Sequence, residues 1–169
     1  AIDCGADAVY IAGPRFGARQ AAGNTIDDIR KLCSHAHKYG ARIFVALNTI
    51  LFDDELEEAY SQMLQIQEAR ADALIIQDLA VMEMARHGIG NIRKDFNIPL
   101  HASTQCAIRT PEQAAFLEGL GFSRLILERE LSLEQIRAIR DAVTCELEFF
   151  VHGALCVCYS GQCYLSEKI

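Results

Sequence analysis

Short apolar runs alternate with amphipathic helical stretches along most of the chain. The segments YGARIFVALN, ARADALIIQD and LGFSRLILER each leave a helical stretch, pass a small turn and enter an apolar run. Apolar runs of this length with little alternation are typical of strands buried on both faces of a parallel sheet. The pattern predicts repeated βα units, with strands at 8–12, 42–47, 73–77, 99–103, 124–127 and 146–151.

Capping residues mark the starts of three predicted helices. Thr25 and Asp28 have the spacing of a capping box, and Ser132 and Gln135 repeat it. Thr110 precedes a first-turn proline and has a capping-box partner in Gln113. The helix after Thr25 is predicted to be amphipathic, with its apolar face formed by Ile26, Ile29, Cys33 and Ala36.

Parallel strands that alternate with helices form either an open doubly wound sheet or a closed barrel. No dinucleotide-binding G-x-G-x-x-G and no P-loop follows a predicted strand, whereas polar residues follow nearly every strand, which favours the barrel. A complete barrel has eight strands and typically about 250 residues. We therefore predict an α/β fold, a partial TIM (β/α) barrel with parallel strands and alternating helices, as a single domain over residues 1–169.

Composition and charge narrow the function classes. With 51% hydrophobic and 23% charged residues, the chain is typical of a globular protein. A net charge of −7 disfavours a non-catalytic RNA-binding or scaffold module, although a basic partner domain would reverse that balance. The apolar runs are too short to cross a bilayer, and no leader is recognisable, so we expect a cytoplasmic protein. Open barrel edges would favour oligomerisation.

The active site of a parallel barrel lies at the C-terminal ends of its strands, where the βα loops converge. Arginines there suit an anionic or polar substrate, and carboxylates suit acid or base work. A strand-end carboxylate often caps the next helix instead, a role that also fits Asp78 and Glu130. The expected catalytic residues are His152, Glu128 and Glu130. The expected substrate-binding residues are Arg15, Arg19, Asn48, Gln77, Asp78, His101, Ser103, Gln105 and Arg129.

The most specific feature is a cysteine cluster that directly follows the last predicted strand. Cys156, Cys158 and Cys163 lie close together, and in a chain without a secretion signal such thiols more often bind metal or catalyse than form disulfides. Thiolates suit iron–sulfur clusters or zinc, and His152 would complete a four-ligand zinc site. His152 and Cys156 would also supply the base and the nucleophile of a cysteine peptidase. Cys158 equally fits a buried thiol.

The end of the chain resembles the signature of the peptidase U32 family. The matching residues are Glu148, Phe150, Gly153, Ala154, Leu155, Cys156, Gly161, Cys163, Leu165 and Ser166. Upstream, GADAVYIAG, VALNTILFDDELEE and IPLHASTQ also resemble the family's N-terminal region, so the resemblance covers essentially the whole chain. It implies a TIM-barrel-like catalytic domain that begins one strand before residue 1 and continues beyond residue 169.

The resemblance also implies two possible activities. The family was named for collagenase-like peptidases, but several members hydroxylate RNA bases or ubiquinone precursors, carry a 4Fe-4S cluster and are linked to prephenate as oxygen donor. In such members, Cys156 and Cys163 correspond to the first two of four cluster ligands, whereas Cys158 receives no ligand role. The leading hypothesis is iron–sulfur-dependent hydroxylation of an RNA base (tRNA or rRNA) or related aromatic substrate. The alternative is a peptidase that uses Cys156 or a bound metal.

Overall fold

The computed structural model describes residues 1–18, 23–153 and 158–162. The chain divides into two compact units, Ala1–Pro99 and Leu100–Ile169. In both units the strands pair in parallel and alternate with helices, which confirms the α/β class. The single domain over residues 1–169 stays a prediction. Among the described residues, no helix combines the length and the apolar character needed to cross a bilayer.

The first unit consists of parallel strands whose order follows the chain. Tyr10 lies opposite Phe44, and Phe44 lies opposite Ala73, so the three strands form a continuous ladder. The second and third strands are almost wholly buried, as their unbroken apolar sequences predict. The elements are β1 (Ala8–Ala12), α1 (Ile26–Ala36), β2 (Arg42–Leu47), α2 (Leu56–Glu68), β3 (Ala73–Ile76) and α3 (Leu79–His87), with 3-10 turns at Ile2–Cys4, His37–Tyr39 and Asp53–Glu55.

The second unit repeats this arrangement. Arg124 lies opposite both His101 and Glu146, which sets the register of three parallel strands. A 3-10 turn, Thr104–Cys106, follows the first of these strands directly. The elements are β4 (Leu100–Ala102), α4 (Pro111–Gly119), β5 (Arg124–Ile126), α5 (Leu133–Ala142) and β6 (Glu146–Glu148).

The capping residues act largely as predicted. Complete capping boxes start α1 at Thr25 and α5 at Ser132. At α4, the Thr110 side chain accepts from the backbone N–H of Gln113, but the Gln113 side chain accepts from the backbone N–H of Arg109 instead of returning to Thr110. The predicted box is therefore only half formed there, because the preceding residue supplies a competing backbone donor.

The last four strands are shorter than predicted. Strand β3 ends at Ile76, β5 at Ile126 and β6 at Glu148, and β4 is limited to Leu100–Ala102. After β4, the next residue leaves the ladder because its polar side chain takes up a cap contact. This residue, Ser103, caps the 3-10 turn after β4, since its hydroxyl accepts from the backbone N–H of Gln105 at 3.2 Å.

Candidate functional site

In the first unit, two amide side chains fix the loop that follows β1. Asn48 Oδ1 accepts from the backbone N–H of Ala18 at 3.0 Å. Gln62 accepts from the backbone N–H of Arg15 at 3.1 Å and donates to the Arg15 carbonyl at 2.8 Å. The buried Gln62, 6% exposed, was missed by sequence reasoning. The sequence feature that could have pointed to Gln62 is its position on the same helical face as the apolar Ala59 and Met63.

The side chain of Arg15 lies among carboxylates. It forms ion pairs with Glu58 and, at 3.7 Å, with Glu55, and its guanidinium stacks on the Phe16 ring at 4.8 Å. An anionic substrate would have to compete with both acids for this arginine. Its role in substrate binding stays a prediction, and Arg19 lies outside the described residues.

Asp78 acts as a helix cap in this structure. One carboxylate oxygen accepts from the backbone N–H of Ala80 at 2.9 Å, and the other accepts from the backbone N–H of Leu51 at 2.9 Å. The side chain therefore starts α3 and ties down the loop after β2. Gln77, just before it, is partly buried. The capping alternative considered from the sequence is what the geometry favours for Asp78.

Replacing Asp78 by alanine is expected to lower the free energy of unfolding by about 1–2 kcal/mol, because a helix cap and a loop anchor are both lost. Urea unfolding of the wild type and of Asp78→Ala measures the difference. Asp78→Asn is the intermediate case and should lose less stability than Asp78→Ala, since its one amide oxygen can replace one of the two acceptors but its NH2 group cannot replace the other. Equal stability of wild type and Asp78→Ala would contradict the structural role.

In the second unit, the loop after β5 begins with a buried carboxylate. Glu128 is 3% exposed, and both its oxygens accept from Arg109 Nε, at 2.6 and 2.7 Å. Arg109 lies two residues after Ala107, which has a left-handed φ of 52° and ends the turn after β4. Sequence reasoning missed Arg109, because it stands beside a helix cap and 19 residues from its partner.

The next two residues of that loop contact the cysteine-rich segment. Arg129 Nη2 donates to the Cys158 carbonyl at 3.0 Å, and Arg129 Nε donates to the Ser160 hydroxyl at 3.2 Å. Glu130 Oε1 accepts from the backbone N–H of Ser160 at 3.0 Å. Burial opposes ionisation of Glu130, but the Ser160 hydrogen bonds and nearby Arg129 outweigh it and hold the pKa of this carboxyl below its ordinary value.

The residues that follow β4 form a compact polar turn. His101 and Ser103, predicted to share one side of the strand, are both buried. Gln105 is partly buried, and Cys106 beside it donates its backbone N–H to the Ser103 carbonyl at 2.9 Å. Burial raises the pKa of the Cys106 thiol to about 11, although a backbone hydrogen bond from this turn partly opposes it.

The predicted metal ligands Cys156 and Cys163 lie outside the described residues. His152 is described, and it is exposed in a bend after β6. Cys158 is partly buried. Across residues 1–18, 23–153 and 158–162, no three His, Cys, Asp or Glu side chains are grouped so as to hold a metal ion. The assignment of catalytic, substrate-binding and metal residues stays a prediction.

Comparison with known proteins places this geometry in context. Peptidase family U32 matches residues 1–169. The chain is 54% identical over 170 residues to the 23S rRNA 5-hydroxycytidine C2501 synthase of Escherichia coli, covering 99% of this chain and 24% of that protein. It is 34% identical to the tRNA hydroxylation protein P1 of Bacillus subtilis, covering 100% of this chain and 39% of that protein.

A protease name also occurs among the relatives. The chain is 31% identical to the collagenase of Porphyromonas gingivalis, covering 98% of this chain and 41% of that protein. In all three relatives, the chain spans less than half of the protein's length. The structure of the U32 peptidase Mk0906 matches with a TM-score of 0.66 at 17% identity, over 88% of this chain and 63% of that one. This likeness confirms the prediction of a partial (β/α) barrel.

Proposed function

Because the chain belongs to peptidase family U32, we propose that it is part of an enzyme that hydroxylates an RNA base. The observation that carries the proposal is the 54% identity to an rRNA 5-hydroxycytidine synthase, which extends over 99% of this chain. The tRNA hydroxylation protein of Bacillus subtilis supports the same substrate class at lower identity. The proposed setting is cytoplasmic, where an RNA substrate is available.

The proposed cofactor is a 4Fe-4S cluster, with Cys156 and Cys163 as two of its four thiolate ligands and zinc as the alternative. The donor set fits, because thiolates are the usual ligands of such clusters. The described stretch between these cysteines, residues 158–162, is held by hydrogen bonds from Arg129 and to Glu130. When bound, such a cluster supplies electron-transfer or radical chemistry.

This chain's own residues are proposed to bind and orient the substrate and the oxygen donor, for which prephenate is the candidate. In the second unit, the buried Glu128 keeps the guanidinium of Arg109 in place, and the Arg109 side chain remains 43% exposed. A half-exposed arginine anchored on a buried carboxylate is suited to contact a carboxylate or a phosphate. Glu130 is held as a carboxylate by Ser160.

The proposal is tested in a strain that lacks the full-length gene. Complementation with the wild type is expected to restore one added oxygen atom on a base of rRNA or tRNA, read by mass spectrometry of RNA fragments. Cys163→Ser is expected to abolish the modification together with the iron, since a weaker ligand replaces a thiolate. Cys158→Ser is the matched control and should retain both.

Other outcomes of these experiments distinguish RNA hydroxylation from peptide cleavage. If no RNA base changes in the complemented strain, and the iron-free protein cleaves peptides, the peptidase alternative replaces the hydroxylase. If Cys163→Ser keeps its full iron content, the proposed ligand assignment is wrong. Purification of the full-length wild type without oxygen should give about four irons per chain.

A further inference from the structure

The cysteine-rich segment is held at its centre by two side chains and one turn from elsewhere in the second unit. Arg129 and Glu130 bind its backbone and the Ser160 side chain, and the turn after β4 lies against Gly161. In the sequence, Cys156 lies two residues before Cys158, and Cys163 lies two residues after Gly161. The proposed ligands therefore flank a docked peptide.

The Arg129 side chain binds two separate groups of the cysteine-rich segment at once. Its Nη2 and Nε atoms donate to two different acceptors of the segment, the Cys158 carbonyl and the Ser160 hydroxyl, at 3.0 and 3.2 Å. Its backbone N–H also points to the Ser160 hydroxyl at 3.4 Å. A planar guanidinium holds two acceptors in a fixed relation, which a lysine ammonium does not do.

Ser160 is the residue that both Arg129 and Glu130 contact. It is 3% exposed, although Tyr159 just before it is exposed. Its hydroxyl accepts from Arg129, and its backbone N–H donates to Glu130 Oε1 at 3.0 Å. The two neighbouring residues of one loop thus satisfy both the side chain and the backbone of this single buried serine.

Gly161 is a second point at which the cysteine-rich segment packs against the unit. Its φ of +75° lies in the left-handed region that favours glycine. A β-carbon at this position would lie 2.9 Å from Ala107 Cβ and 3.0 Å from the Gln105 carbonyl oxygen. The segment therefore approaches the turn after β4 so closely that no side chain fits between them.

We infer that Arg129, through Ser160 and the Cys158 carbonyl, positions the cysteine-rich segment so that its flanking thiolates are preorganised for the cluster. The inference rests on the proposed function for the identity of the bound group. These contacts hold residues 158–161 of the segment in one arrangement. A preordered ligand segment also loses less conformational entropy when it binds.

Arg129 thereby acquires a role different from the substrate contact predicted from the sequence. A substrate-binding arginine would change the Michaelis constant for the donor and leave the cluster untouched. A positioning arginine changes the retention of iron, because residues that orient metal ligands typically contribute about 10- to 100-fold to metal affinity or activity.

The test uses the full-length protein, purified without oxygen, as wild type, Arg129→Ala, Arg129→Lys and Ser160→Ala. Arg140→Ala is the matched control, because Arg140 also donates to loop carbonyls, those of Val143 and Cys145, away from the cysteine-rich segment. Iron per chain, the visible spectrum and the rate of iron loss to a chelator are measured. Arg129→Ala is expected to lose iron about tenfold faster or more, and Arg129→Lys should recover little of the difference.

A second measurement does not depend on the cluster. In protein from which iron has been removed, limited proteolysis within residues 158–162 should be faster for Arg129→Ala and Ser160→Ala than for wild type and Arg140→Ala, because the docked peptide is released. The positioning role of Arg129 is wrong if Arg129→Ala loses iron as slowly as the wild type, or if Arg129→Lys fully restores the wild-type rate.

The two proposals fail in distinguishable ways. A wild-type protein that holds no iron refutes the cluster, and the proteolysis comparison then decides alone whether Arg129 docks the segment. A wild-type protein with its cluster and an Arg129→Ala variant that is equally stable toward chelator and protease refutes the positioning role and leaves the proposed function standing.

Discussion

Arg109→Ala is expected to lower the free energy of unfolding by about 3 kcal/mol, because it leaves the carboxylate of Glu128 buried without its charged partner. Glu128 is 3% exposed, and its two oxygens accept from the same Arg109 nitrogen. The estimate is at the lower end of the range for breaking a buried pair, since the Arg109 side chain is itself 43% exposed. Denaturant unfolding of the full-length protein measures the loss.

A double variant separates the buried charge from the loss of packing. Arg109→Ala combined with Glu128→Gln should recover a large part of the lost stability, because a neutral amide costs less to bury than an unpaired carboxylate. Arg137→Ala, an exposed arginine on α5, serves as the control and should change stability by no more than about 0.5 kcal/mol. A double variant as unstable as Arg109→Ala would contradict the ion-pair explanation.

Alkylation of Cys106 by iodoacetamide near neutral pH is expected to be about 100-fold slower than that of a thiol with an ordinary pKa. Burial raises the pKa of Cys106 from 9.0 to about 11, so the reactive thiolate is correspondingly rarer. The rate should increase about tenfold for each pH unit up to about 11, where deprotonation is half complete. Site-resolved mass spectrometry of the alkylated protein gives the rate.

The exposed Cys4 provides an internal reference in the same sample. Cys106 modification as fast as that of Cys4 at neutral pH would contradict the burial of this thiol. The expected result bears on the site, because Cys106 lies between Gln105 and Ala107, the two residues that Gly161 approaches most closely. A thiol that stays protonated at neutral pH is a poor nucleophile and a poor metal ligand.

These expectations define what the second unit contributes to a U32 enzyme. Arg109 and Glu128 form one anchor, with the carboxylate buried, and Arg129, Glu130 and the buried Ser160 form another. Both anchors use consecutive residues of the loop after β5. This loop is the element that we propose to position the cysteine-rich segment.

The sequence alone was informative wherever the physical cause is local. Apolar runs predicted every strand, and β1 and β2 match to the residue. The capping boxes at Thr25 and Ser132 were recognised because each involves residues only three positions apart. The predicted strand after residue 99 was too long, because Ser103 leaves the ladder to cap a turn. The hydrophobic pattern does not show whether a polar side chain will cap a turn or stay in a strand.

The sequence by itself determined the βα order, the parallel strand class and the positions of polar residues at strand ends. Only the tertiary structure decided which of these residues bind one another. Glu128 meets Arg109 across 19 positions, and Arg129 meets Ser160 across 31. Periodicity and capping act within a few residues, whereas these partners are brought together by parallel strand register and loop docking, which no local pattern encodes.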